Sequence, residues 1–473
     1  MSMATRFMTM CFLLLLGLST IGFGQAKDAE AAASVASGEA GYARMAPSAV
    51  DRSQPIQLTI GTSTILDATT GAVVGNEGAA QNDANISSNA ASSHEGNDGD
   101  EDFDDVRHTP KGGTIDGLDT VPTFDGAFFA QAGPSSTTTR LFRFSMMGNH
   151  PLAGETTLIP AKISEVSLQL LNADGSTLTT VAFTPFEDLT LDSPNFEEAN
   201  YRSGHHLQFA DAVQRAEFFH RMGKDWHTIL RPQVVNRITL TVPRFVNVRL
   251  ANGNVVQARS YFIGTAADGH TFVLMLNVLF NFFFNNEVVN EINAGNFTTK
   301  ALNMTLFPNT FLFSLNVNNP NAPGGCCVLG FHTYFFQPGA IPQPRWITQY
   351  ASWISPGVFG AGFEDVTALS HETSEAFNDP FVDNVTPSWQ FPGQPANSHV
   401  CQGNLETGDP VEVLPTATVP ITIRERHEVF TYHPQTEALL QWFEMGATSN
   451  AVDGAFSFPG EGALSHSALP CPP

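Results

Sequence analysis

Residues 365–389 read DVTALSHETSEAFNDPFVDNVTPSW, and within them an H-E-x-x-E core, His371 to Glu375, stands between an apolar run and Pro380. Residues four apart on an α-helix share a face, so His371 and Glu375 project side by side while Glu372 points about one residue's rotation away. The spacing predicts a helix over 367–377. Asn378, Asp379 and Pro380 end it, because proline cannot extend the backbone bonding and pushes the residue before it out of the helical region. An imidazole and a carboxylate so placed form a metal-ligating pair, with Glu372 as the adjacent general base. A carboxylate hands more negative charge to the ion than an imidazole does. That tilts the site from Zn2+, the first expectation, toward the harder cations Ca2+ or Mn2+.

Further ligands lie on both sides of this helix. Downstream, NLETGDPVEV at 404–413 offers Glu406 and Asp409 on a turn-like segment; upstream, GGCCVLGFHTYF at 324–335 offers His332. Four cysteines remain once Cys11 is assigned to a leader: Cys326, Cys327, Cys401 and Cys471. An even number in an oxidising compartment predicts two disulfides. Neighbours are poorly placed to bridge each other, so one of Cys326 and Cys327 is expected to join Cys401 and the other Cys471, in an order that sequence leaves open. Either order draws His332 and Glu406 toward His371. Asp379 is expected to orient His371 from behind, since ligating imidazoles need an acceptor on their other nitrogen.

Residues 1–26, MSMATRFMTMCFLLLLGLSTIGFGQA, have Arg6 as a positive n-region, an apolar core from Met8 to Gly17, and small residues at Gly24 and Ala26. This predicts a secretory signal peptide and a secreted chain without a lipid or membrane anchor. Its removal leaves 21 of the 22 basic residues against 46 acidic ones, a net charge of −25. So acidic a surface argues against nucleic acid as a partner.

From Lys27 to about Asp119 the composition shifts to Ala, Ser, Gly, Asn and Asp, with an acidic block NDGDEDFDD at 97–105. This segment reads as largely disordered, apart from Ile56–Val74, which is able to pair as strands. Beyond it, two stretches carry β-branched runs separated by DG and NG turn signals, at 163–186 and 237–264. They predict hairpins in a sandwich-like domain. Between them, Leu207–Gly223 has helical spacing with Gly223 as its stop. The run FVLMLNVLFNFFF at 272–284 is too short to span a bilayer and reads as one or two buried strands. After the metal motif, ITIRERHEVFTYHPQTEALLQWF at 421–443 predicts a strand carrying Arg424 and Tyr432, then a helix or final strand. Arg424, Tyr432 and His433 are the candidates, by residue type, for stabilising an oxyanion.

The succession CC-x-x-G-F-H, S-H-E-x-x-E-x-x-x-D-P, a Trp and a later E-x-G-D, over roughly 325–410, resembles secreted proteins of the plant phosphate-induced/Exordium type. Little-characterised bacterial secreted proteins share a related core. The helix is also similar to that of zincin metallopeptidases, from which it departs by Glu375 in place of a second histidine. The zincin resemblance implies His371 as a ligand and Glu372 as the base.

The resulting expectation is an α+β chain: a signal peptide at 1–26, an acidic spacer at 27–119, a β-rich domain at 120–265 and a zincin-like metal-site domain at 266–473. Its function would be metal-dependent hydrolysis of an extracellular protein or peptide. The competing expectation is a non-catalytic binding module whose cation fixes loops around the same residues. A serine nucleophile is disfavoured, because Ser370 and His371 are adjacent on a helix and point apart.

Overall fold

The computed structural model describes residues 56–75, 87–88, 121–391, 402–445 and 464–467, with short breaks at 62, 132–135, 202–205, 220, 338–342, 361, 413, 415–416 and 426–427. The expected signal peptide, the acidic block, Cys401 and Cys471 lie outside the described residues. By Cα proximity, the described residues fall in one compact unit.

Two long strands, Thr156–Leu171 and His227–Val242, run side by side in parallel and form the middle of the main sheet. Both are rich in β-branched and aliphatic residues, which suit a pleated surface covered by other elements. The spatial order across the sheet is Ile56–Thr59, His227–Val242, Thr156–Leu171, Leu302–Pro308, Arg345–Trp353, Gly330–Phe336 and Ser87–Ser88. The first five are mutually parallel. Gly330–Phe336 runs antiparallel to its neighbour, and Ser87–Ser88 antiparallel to it in turn.

Cores lie on both faces. In Thr156–Leu171 the side chains of Ile159, Ala161 and Ile163 join one core, and those of Val166, Leu168 and Leu170 the other. Residues of odd and even number point to opposite faces of a strand, so the two cores lie on opposite sides of the sheet. On the first side are helices Phe209–Glu217 and Thr367–Asn378; on the second is helix Asn277–Asn293.

The α+β, strand-rich class is as expected, but the arrangement is not that of a sandwich followed by a separate domain. The main sheet takes strands from both sides of residue 265, so a division there runs through its middle. The DG and NG signals do close hairpins, joining Thr156–Leu171 to Thr177–Val181 and Phe245–Arg249 to Val255–Arg259. Within the expected spacer, Ile56–Thr59, Ile65–Asp67 and Val73–Gly75 are strands.

Three local expectations differ. The 272–284 run is a strand only to Leu276 and then turns into the helix Asn277–Asn293. Asn277, Asn281 and Asn285 recur every four residues and stay partly exposed, while Val278, Leu279, Phe280, Phe283 and Phe284 are buried. That asparagine stripe is a helical period within the apolar run. Gly223 does not stop the helix, which ends at Glu217; a Cβ there would lie 2.5 Å from the Cα of Gly154, so it serves a close backbone approach. Third, Cys326 and Cys327 are joined to each other in a disulfide, not to the two distant cysteines. No helix among the described residues is long and apolar enough to cross a membrane.

Candidate metal centre

The motif helix Thr367–Asn378 lies on strands Arg345–Trp353 and Gly330–Phe336 and against helix Phe209–Glu217. All twelve of its residues are buried. A helix enclosed on every side must have its polar side chains satisfied within the protein. Gln349 of the sheet donates to Thr373 Oγ1 at 3.1 Å, and Ser370 Oγ donates to Thr367 O while accepting from Gln435 N. Those two bonds give the Ser370 hydroxyl a purely structural task. At the far end, Asn384 Nδ2 donates to Asn378 O and to Ser145 O.

The helix presents His371, Glu372 and Glu375 to His332 on strand Gly330–Phe336 and to Glu406 and Asp409 on a later loop. None of the six is more than 9 % exposed. His371 Nε2 lies 3.1 Å from Glu375 Oε1, 3.4 Å from Asp409 Oδ1 and 3.9 Å from Glu372 Oε1. His332 Nδ1 lies 3.5 Å from Glu375 Oε2 and 3.6 Å from Glu372 Oε2, and its Nε2 lies 3.7 Å from Glu406 Oε2. His332 reaches the centre through sheet register rather than through a disulfide, its strand pairing antiparallel with Arg345–Trp353.

The tautomer of His332 follows from one contact. Its Nε2 is 3.0 Å from the carbonyl oxygen of Asp379, which can only accept, so that nitrogen carries the proton and Nδ1 turns to the two glutamates. Asp379 thus holds His332 through its main chain, not His371 as its sequence position suggested. Its Oδ1 accepts from Asp383 N and Asn384 N at 2.9 and 3.0 Å.

Glu375 Oε1 accepts the backbone N–H groups of Gly408 and Asp409 at 3.0 and 3.2 Å, which fixes the loop on the helix. Gln435 Nε2 straps the same loop by donating to Gly408 O at 2.7 Å. Two glycines make the fit possible. A Cβ on Gly408 would fall 2.7 Å from His371 Cγ, and one on Gly330 would fall 2.6 Å from Glu372 Cγ.

Electrostatically the centre is short of positive charge. Among the described residues no Lys or Arg forms an ion pair with these carboxylates. Burial disfavours the charged form of both histidines, yet Glu406, Glu372 and Glu375 around His332, and Glu375, Glu372 and Asp409 around His371, lift both well above the ordinary imidazole range. Burial opposes ionisation of Glu375 too, but His371 and His332 hold it well below the usual carboxylate range. Burial pushes Glu372 up to about 7, and Glu406 well above its ordinary value. Glu372 Oε2 and Glu406 Oε2 are buried and without a hydrogen bond among the described residues. Buried acceptors facing acceptors need a shared cation, whether proton or metal. The donor set, two imidazoles and four carboxylates, fits a divalent ion.

Two acids with no place in the motif reading also belong here. Glu412 is pushed up to about 8 by burial and the charge of Asp409, and Glu437, fully buried, is raised by burial against the pull of His371. The signal for Glu412 lay in the sequence, three residues beyond Asp409.

The expected oxyanion donors are not brought to this cluster. Tyr432 Oη donates to Leu189 O at 2.8 Å, and Arg424 is exposed on the hairpin of Ile421–Glu425 with Glu428–Tyr432. His433 is tied at the start of the motif helix, its Nδ1 2.7 Å from Asp365 Oδ2 and its N–H donating to Asp365 Oδ1. With Glu364 these residues form a second acid–imidazole group, but one whose members bond to each other.

No protein-family model, curated protein or solved structure matches this chain.

Proposed function

We propose that this chain is a secreted, metal-dependent hydrolase of proteins or peptides, a zincin-like metallopeptidase in which Glu372 is the general base. The observation that carries this reading is the approach of Glu375 Oε1 and Asp409 Oδ1 to His371 Nε2, at 3.1 and 3.4 Å, beside the group His371, Glu372 and Glu375, whose ligand atoms all lie within 4.8 Å of one another. Ligand atoms about 2.0–2.1 Å from a tetrahedral zinc are about 3.3 Å apart. A bound divalent cation would supply Lewis acidity at the scissile carbonyl and stabilise developing negative charge.

Glu372 then has the position and the proton affinity for the rest. Its Oε1 sits 3.9 Å from His371 Nε2, farther out than Glu375 Oε1 and Asp409 Oδ1, and burial holds its pKa at about 7, where a base works best at neutral pH. It would take a proton from the attacking water and return it to the leaving amine. Asp379 O keeps His332 fixed in one tautomer, and the Gly408–Asp409 amides keep Glu375 oriented.

Burial favours a second reading, in which the cation is structural and the chain is a binding module. Elemental analysis of the purified chain beside Glu375→Ala, with casein and gelatin cleavage on the same samples, separates the two. Zinc near one equivalent or more, lost in the variant together with cleavage, supports the peptidase. Calcium with no cleavage in either sample would move the assignment to the module, and no metal at all would end both.

A further inference from the structure

We propose that the centre is built for two divalent cations sharing Glu375, one on the His371 side and one on the His332 side. The inference rests on the metal reading above and goes beyond it, since that reading needs only one ion.

The geometry of Glu375 comes first. Its two oxygens face different imidazoles: Oε1 is 3.1 Å from His371 Nε2, and Oε2 is 3.5 Å from His332 Nδ1. A carboxylate so placed bridges two ions rather than chelating one. The remaining ligands divide to match. His332, Glu375 and Glu406 each offer an atom within 4.8 Å of the others, and so do His371, Glu372 and Glu375, with Asp409 Oδ1 a further 3.4 Å contact of His371 Nε2. Each side then has one imidazole, one carboxylate of its own and a share in Glu375. Equal donor sets predict the same kind of ion at both.

Charge gives an independent argument. Glu372, Glu375, Glu406 and Asp409 carry four negative charges when ionised, all at 9 % exposure or less. One divalent cation leaves two of them uncompensated in a low-dielectric interior, where an unpaired ion costs several kcal/mol. Two cations balance these four, which are the carboxylates within 4 Å of the two imidazoles; Glu412 and Glu437 lie beyond that reach. The residues left without a partner by a single ion beside His371 are those on the other side: the buried Glu406 Oε2 has no hydrogen bond, and His332, whose Nε2 proton goes to Asp379 O, turns Nδ1 toward the carboxylates. Glu372 lies between the sides, its Oε1 3.9 Å from one imidazole and its Oε2 3.6 Å from the other, and can serve as a base next to both ions.

The test uses the full chain stripped with chelator and titrated with Mn2+, read by native mass spectrometry and electron paramagnetic resonance. Two Mn2+ per chain are expected, with a spectrum broadened by coupling through the shared carboxylate. Glu406→Gln, which keeps the side-chain shape, should bind one Mn2+ and give the six-line signal of an isolated ion; His332→Ala should do the same. One ion per wild-type chain with an isolated-ion spectrum overturns the two-cation inference and leaves the metal reading standing. Two ions with uncoupled spectra overturn the shared Glu375. No bound Mn2+ and no other divalent ion overturns both. Because the wild-type chain alone discriminates these outcomes, a variant that fails to fold does not decide the question.

Discussion

Both faces of the main sheet bury carboxylates, and they treat them differently. On the face covered by helix Asn277–Asn293, Glu291 receives amide N–H groups from Asn236 and Asn296, and Glu287 Oε2 receives the Thr305 hydroxyl at 3.0 Å. Neutral donors surround these acids, and burial with the nearby Glu291 keeps Glu287 protonated up to about pH 8. On the face covered by the motif helix, the acids meet two imidazoles and one another. In the first set Glu291 has both oxygens bonded by amides and Glu287 keeps its proton, although its Oε1 lacks a hydrogen bond; in the second, carboxylates face imidazoles and one another with no Lys or Arg ion pair among the described residues. Burial alone therefore does not mark a functional acid. What marks it is the chemistry of its neighbours.

The contrast can be broken most severely at Glu372. Glu372→Gln should lower casein cleavage by roughly 100- to 10,000-fold, the usual contribution of a general base, with bound metal unchanged. A variant that keeps full activity with its metal would return Glu372 to the class of Glu287. Next in size is metal removal. If the ion binds the folded chain at about a thousand times its Kd, chelation should reduce stability by about 4 kcal/mol, seen as a fall in Tm on adding chelator. An unchanged Tm would mean that the acid–imidazole cluster is stable on protons alone.

The opposite face supplies a prediction of comparable size with no metal in it. Glu287 titrates near 4.5 when unfolded and at about 8 when folded, so the folded state retains the proton longer. Its contribution is present in full below about pH 4.5 and is lost as pH rises toward 8, on the order of 5 kcal/mol by linkage. Glu287→Gln should remove that slope, so denaturant melts of the two proteins should diverge between pH 5 and 8 and run parallel above it. Smaller still is the effect of the two glycines. Gly408→Ala and Gly330→Ala should each cost about 1–3 kcal/mol by overpacking, with metal affinity falling about 10- to 100-fold as His371 or Glu372 is displaced. Gly403→Ala makes a useful control, since a Cβ there meets nothing within 4 Å.

Much of the motif helix was legible because its information is local. The i, i+4 spacing of His371 and Glu375 and the stop at Asp379-Pro380 need no knowledge of the rest of the chain, and the helix runs to Asn378 accordingly. Glu406 and Asp409 were found as a short acidic turn nearby. Other features depended on distant pairing. Which nitrogen of His332 faces the glutamates is decided by Asp379 O, and its approach by strand register. Gly330 and Gly408 show their value only when His371 and Glu372 lie against them. The strand-to-helix change at Asn277 was written in the chain as an asparagine every fourth residue, hidden by the surrounding phenylalanines. The pairing of Cys326 with Cys327 ran against the sequence argument that neighbours are poorly placed to bridge each other. The expected division at 265 failed to separate sheets because sequence shows where strands form, not which strands they will join.

That last feature has a bearing on how the chain is made. Strand Thr156–Leu171 is complete early in synthesis, yet the partner for one of its edges, Leu302–Pro308, follows only after everything from Asn172 to Ala301 has emerged. Until then a long apolar edge stands open to any other extended chain. A nascent protein of this design calls for a holding chaperone, and fragments cut at residue 265 should aggregate when expressed apart and recover solubility when the two pieces are produced together.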